Sequence, residues 1–176
     1  RRVLFRSKRG RLGLWVGAEG QVYEEWLNDV HIISRFDIPP SWRRIRTIDF
    51  GYNNPFVCQW WAIDHDDRMY LYRELYMSGR TVARHKVDIC IYSRGETYEA
   101  TIADHDAEDR ATLAEQTTVN DPALTARLVT AGFSKDAAGN VLLPGISTRA
   151  ADKRVKVGIE KVQERLRLSG NGKPRI

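Results

Sequence analysis

The feature that most constrains this chain is FVCQWWAI, residues 56–63. The run is almost continuously apolar and is bounded by turn residues, NNP before it and DHDD after it. It is too short to span a membrane and reads as a well-buried strand. The segments on either side read as its sheet partners. Arg44–Gly51 is a strand built on Ile45, Thr47, Ile48 and Phe50. Met69–Tyr76 alternates Met69, Leu71 and Leu75 against Tyr70, Tyr72 and Tyr76, the period of a half-buried strand. Three strands joined by tight turns make an antiparallel meander.

A helix then runs from about Arg80 to Tyr92, opened by Ser78 or Gly79, with Ala83, Val87, Cys90 and Ile91 on one face. Glu99–Asp104 reads as a fourth strand. Asp109–Thr117 and Pro122–Ala131 read as helices, the second with Asp121 as cap, Pro122 at its first position and Gly132 closing it. Residues 133–145 are a loop or hairpin, and Ile146–Thr148 a short strand. Ala150–Leu168 is a helix on the stripe Val155, Ile159, Val162 and Leu166. The expected fold class is α/β: a ribonuclease-H-like mixed sheet, three antiparallel strands then parallel strands, with flanking helices. In that fold the first and fourth strands are neighbours.

Pro39–Pro40 breaks any helix and marks a boundary. Residues 12–40 read as the end of something larger plus a linker, and 41–176 as the main domain. Residues 1–11 hold six basic side chains and no acid, and RRVLFRSK reads as a fusion or sequencing scar. Residues 149–176 carry a net +6, so the total of +5 leaves −7 between the two basic ends. An acidic middle with basic flanks suits metal ions in one place and phosphates in another. Cys58 and Cys90 form no CxxC and read as buried free thiols in a reducing setting.

Two acids stand where strands leave the core. Asp49 ends the first strand in TIDFGYNNPF, and Asp104 ends the fourth in TIADHDAED. Side by side they would repel, and a divalent cation relieves that repulsion. Magnesium takes hard oxygen ligands, so one or two carboxylates plus substrate phosphate oxygens suit it. Two metals about 3.5–4 Å apart activate water and stabilise the leaving oxygen of a phosphodiester. Alone, Asp49 is better explained as a turn residue and Asp104 equally well as a helix cap; together they point to a site. Asp106 is a further ligand candidate. Asp109 is read as charge favoured by a helix N-terminus. Gly51 would let backbone or substrate approach closely. Lys153, Arg154, Lys156, Lys161, Arg165 and Arg167 fall on the exposed side of the last helix, where they would hold DNA phosphates without reading sequence. Trp60 and Trp61 are read as core, and the tyrosines of the third strand as cover for the outer sheet face rather than stacking platforms for bases.

WVGAEGQVYEEW, FDIPPSWRRIRTIDFGYNNPF, MYLYRELYMSGRTVARH, IADHDAEDRATL and the segment from Ala151 to Ile176 together cover most of residues 15–176. In these stretches the chain resembles the nuclease domain of the large terminase subunit of tailed phages. The resemblance implies a ribonuclease-H-like endonuclease that cuts concatemeric double-stranded DNA with two magnesium or manganese ions. The family's first two acids map onto Asp49 and Asp104. Residues 12–40 would be the end of the ATPase domain and the linker. The full protein would work with its ATPase domain, the small terminase subunit and the portal, in the cytoplasm of the infected host. The family's third acid falls beyond the last helix, so the chain is expected to be a fragment with an incomplete site; Asp152 is read as helix-terminal charge, not as that ligand.

Other readings are weaker. DFG at 49–51 matches a kinase magnesium motif, but no HRD loop or Gly-rich loop accompanies it. No GxxxxGK[ST] loop and no GxSxG occurs. The four histidines lack HxxxH spacing, and His105 is a turn residue before it is a ligand. A catalytically silent DNA-binding or subunit-contact module, and a resolvase or transposase core, are the alternatives carried forward.

Overall fold

The computed structural model describes residues 22–104, 106–170 and 172–176. The readings of residues 1–11, of 12–21 and of His105 lie outside the described residues. The chain divides into two compact units, one spanning Arg35–Lys153 and the other made of the segments up to Ser34 and from Arg154. The larger unit thus begins six residues before the boundary expected at 41, and the last helix groups with the N-terminal segment.

In the second unit, α1 is the single turn Asn28–His31. Trp26 stacks on His31, whose Nε2 donates to the Leu166 carbonyl at 2.9 Å. Gln163 donates to the Val22 carbonyl at 2.7 Å, and Arg167 pairs with Glu25 at 3.3 Å.

In the larger unit, β1 (Arg43–Asp49), β2 (Phe56–Ile63) and β3 (Met69–Met77) form the expected meander. Helix α2 (Val82–Tyr92) leads to β4 (Ala100–Ala103), which lies parallel to β1. Then come α3 (Ala107–Ala114), β5 (Thr117–Val119), α4 (Pro122–Thr130), β6 (Val141–Leu143) and β7 (Arg149–Ala150). The main sheet has the order β3-β2-β1-β4-β7, with β7 parallel to β4. The fold is ribonuclease-H-like, a mixed five-stranded sheet with flanking helices.

Strand β2 anchors the core. Phe56, Cys58, Trp60 and Ala62 are fully buried on one face, against Val87, Ile89 and Leu75. Trp61 points to the other face, is only partly buried, and donates to Thr47. Strand β3 departs from simple alternation. A bulge pairs Trp60 with Arg73 and Trp61 with Leu71, leaving Tyr72 as the extra residue. The extra residue reverses the faces of the strand. Leu71 is therefore exposed while Leu75 is buried, although the sequence pattern puts both on one side.

Helix α2 starts at a Thr81 cap rather than at Ser78 or Gly79. Its burial is not a single stripe: His85 through Cys90 are all buried, while Ala83 is exposed. Two of the buried polar groups, Lys86 and Asp88, are held by partners outside the helix, while His85 stacks on Phe56. Lys86 donates to the Glu115 carbonyl at the C-terminus of α3 and to Thr117 Oγ1 at 3.0 Å. That is where a helix dipole favours a cation, and burial pulls the ammonium below its ordinary pKa. Asp88 bridges Arg80 at 3.1 Å and Arg127 of α4 at 2.6 Å. Both thiols are buried, and burial pushes Cys58 up to about 12, as expected of an inert core cysteine.

Candidate metal centre

The register of β1 and β4 builds the candidate site. Ile48 pairs with Ala103, and the Asp104 N–H donates to the Ile48 carbonyl at 3.1 Å. That bond carries the parallel ladder one step past β4, so Asp49 and Asp104 leave adjacent strands at the same end. Neighbouring strands run about 4.8 Å apart. Both side chains are exposed. Asp49 also faces Val57 across the antiparallel β1–β2 pair. By strand alternation its side chain leaves the sheet on the face opposite Ile48 and the core.

The loop after Asp49 explains Gly51. A Cβ there would lie 2.5 Å from the Asn54 carbonyl oxygen and 2.7 Å from that of Pro55. The missing side chain admits the chain's own backbone: the NNP turn folds back on Gly51.

Asp106 caps a helix. Its Oδ1 accepts from the Asp109 N–H at 3.0 Å, which makes it the N-cap of α3. The helix consequently begins at Ala107, two residues before the expected Asp109, and the capping role raised for Asp104 falls to Asp106. Glu108 and Asp109 sit in the first turn, as the dipole favours. Burial, then the charges of Asp106 and Glu108, push Asp109 above its ordinary value. Among the described residues no group of three or more His, Cys, Asp or Glu side chains is arranged to hold a metal.

The donor set present is therefore two exposed carboxylates on adjacent strand ends. That fits a hard cation that keeps several waters and completes its shell with substrate oxygens. It does not fit a structural zinc site, whose closed tetrahedron is built mainly from cysteine and histidine.

The basic residues are distributed differently from the acids. Lys153 ends the larger unit; Arg154, Lys156, Lys161, Arg165 and Arg167 belong to the second. Helix α5 runs from Val155 to Leu166, shorter than the expected 150–168. Its start is delayed because Ala150 belongs to β7 and the Ala151 N–H donates to Ala103 at 2.8 Å. Val155, assigned to the apolar stripe, is 73% exposed, and the buried end of the stripe is Leu166. Lys156 and Lys161 are exposed and Arg165 is partly buried.

No protein-family model matches the chain, and no curated protein matches it. Solved structures do. The large terminase of a thermophilic bacteriophage, in complex with ATP-γ-S, superposes with a TM-score of 0.58 at 21% identity, covering 94% of this chain and 39% of that one. The P22 large terminase nuclease domain gives a TM-score of 0.50 at 18% identity, covering 84% of this chain and 68% of that domain. The chain thus spans well under half the length of the thermophilic phage protein. At these identities the likeness is one of fold: the chain has the ribonuclease-H-like architecture found in phage large terminases.

Proposed function

We propose that the chain is the nuclease region of a phage DNA-packaging terminase large subunit, hydrolysing phosphodiester bonds in double-stranded DNA. One observation carries this reading: the β1–β4 register that sets Asp49 and Asp104 at one end of neighbouring parallel strands. Asp49 and Asp104 would hold two magnesium or manganese ions. Bound there, the ions would supply an activated water and charge stabilisation at the leaving oxygen. The chain's part is to present two carboxylates on a rigid sheet edge, with positions fixed by ladder hydrogen bonds rather than by a loop. Lys153, Arg154, Lys156, Lys161 and Arg165 would bind the DNA backbone, with an affinity that falls as salt rises. The ATPase domain, small subunit and portal would be partners of the whole protein, in the cytoplasm of the infected host.

A second reading is a DNA-binding module that does not cut. It is favoured by Asp106, one of whose carboxylate oxygens is taken up in capping α3. Nicking of supercoiled plasmid in manganese separates the two. Cleavage by the parent chain that is lost in both Asp49→Ala and Asp104→Ala supports the nuclease. Cleavage that survives in either variant overturns the assignment of the site. Salt-sensitive DNA binding without any nicking supports the silent module.

A further inference from the structure

Arg46 is the residue the proposed chemistry does not use. It sits in the middle of β1 and is only 9% exposed. Its Nε and one terminal nitrogen donate to Thr101 Oγ1 at 3.1 and 2.8 Å, and the other terminal nitrogen donates to Ser93 Oγ at 2.9 Å. The guanidinium lies 4.3 Å from the centre of the Tyr98 ring. These partners are hydroxyls and an aromatic face. Among the described residues, Arg46 has no carboxylate partner. A buried charge ordinarily has a counter-charge, because desolvating an ion costs several kcal/mol. Three of its five N–H donors are engaged, which leaves two.

The two carboxylates nearby have other hydrogen-bonding partners. Glu99 pairs with Arg43 at 2.8 Å. Glu96 accepts from Tyr72, Tyr98 and Arg73, and these partners hold it below its ordinary pKa despite burial.

Arg46 lines a cleft of about 370 Å³ together with Tyr98, Thr101, Ser147, a second guanidinium, Arg149 of β7, and the carboxylate Glu99, which Arg43 holds from the side. That volume falls within the range of small-ligand pockets, about 300–1,000 Å³. Arg46 is three residues before Asp49, so alternation puts its side chain on the opposite sheet face from the two acids. The cleft is therefore a separate place from the candidate metal centre.

We propose that this cleft binds a phosphate-class oxyanion, up to a mononucleotide in size, between Arg46 and Arg149. Planar guanidinium forks match phosphate oxygens, and the ligand supplies the counter-charge that the protein withholds. Ser147 offers a hydroxyl donor at the rim.

The test is calorimetric titration of the full chain, free of divalent metal, with inorganic phosphate and separately with adenosine 5′-monophosphate. Saturable binding at one site per chain is expected, weakened about ten- to a hundredfold in Arg149→Ala. Lys135→Ala, an exposed basic residue elsewhere on the unit, serves as control and is expected to bind like the parent. Thermal midpoints without ligand should match among the three proteins, since Arg149 is exposed and β7 pairs through its backbone. Tighter binding of the mononucleotide identifies a nucleotide as the source of the phosphate; equal binding identifies the free anion. Absence of saturable binding overturns the proposal. So does equal weakening by Arg149→Ala and Lys135→Ala, which would reduce the effect to net charge. Neither result bears on plasmid nicking, so the two proposals fail separately.

Discussion

Replacing Asp49 by Asn should change stability in opposite directions with and without metal. The two carboxylates are exposed and leave strands about 4.8 Å apart. Two like charges about 5 Å apart in water repel by about 0.8 kcal/mol. Salt at about 0.1 M, with a Debye length near 10 Å, trims this further. In chelator at low salt, Asp49→Asn should therefore stabilise the chain by up to about 0.8 kcal/mol. For a chain of this size that is a rise of roughly 2–3 °C in the unfolding midpoint. In manganese the order should reverse. At about 100 times its dissociation constant a ligand stabilises the folded state by about 2.7 kcal/mol. The parent gains that amount, while the variant, lacking one of two ligands, gains much less. Differential scanning calorimetry in EDTA and in manganese reads both halves. The reasoning fails if manganese raises both midpoints equally, because Asp49 is then no ligand. It also fails if Asp49→Asn is destabilised in EDTA by more than about 1 kcal/mol, because Asp49 would then be holding the fold.

Further substitutions test the scaffold. Asp88→Asn removes a charge that is 3% exposed and tied to Arg80 and Arg127. The loss should be about 2 kcal/mol by urea denaturation, below the 3–5 typical of fully buried pairs, because the arginines are 35% and 44% exposed and can turn to water. Combining it with Arg127→Ala should cost less than the two separate losses together. Gly145→Ala would bring a Cβ to 2.0 Å from the Ala114 carbonyl oxygen, where Ile146 is held to Leu113 at 2.8 Å. A loss of about 1–3 kcal/mol is expected. Gly158→Ala, in α5 with nothing within 4 Å, should instead stabilise by up to about 1 kcal/mol in the same thermal assay.

Local chemistry was legible in the sequence, and non-local chemistry was not. Strand β2 begins and ends where its apolar run does, and α4 takes Asp121 as cap, Asp121 Oδ1 accepting from the Leu124 N–H at 2.8 Å. Each is decided by residues a few positions apart. The β5–β6 pair joins two three-residue strands from either side of α4, and nothing in three residues announces a partner more than twenty positions away. The bulge at Tyr72 is likewise a property of two strands together. The two candidate acids stood out because a charge at a strand end is itself a local signal, whereas the use of Asp106 as a cap depended on where α3 starts.

The RRIR segment shows why the proposed oxyanion cleft could not be read from the chain alone. Arg43, Arg44 and Arg46 look equivalent in sequence, a basic stretch entering a strand. Folding gives each a different fate. Arg43 stays in solvent and pairs with Glu99. Arg44 turns to the carbonyls of Ile38, Pro39, Pro40 and Trp42 and secures the turn that enters β1. Arg46 enters the sheet because Thr101 faces it across the parallel β1–β4 pair. A buried threonine hydroxyl can accept its hydrogen bonds and cannot neutralise it. The same pairing that brings Asp49 to Asp104 thus sets a positive charge on the other face of the sheet. A strand carrying an acid to one face and an unneutralised base to the other suits a protein that handles metal ions and phosphates in separate places.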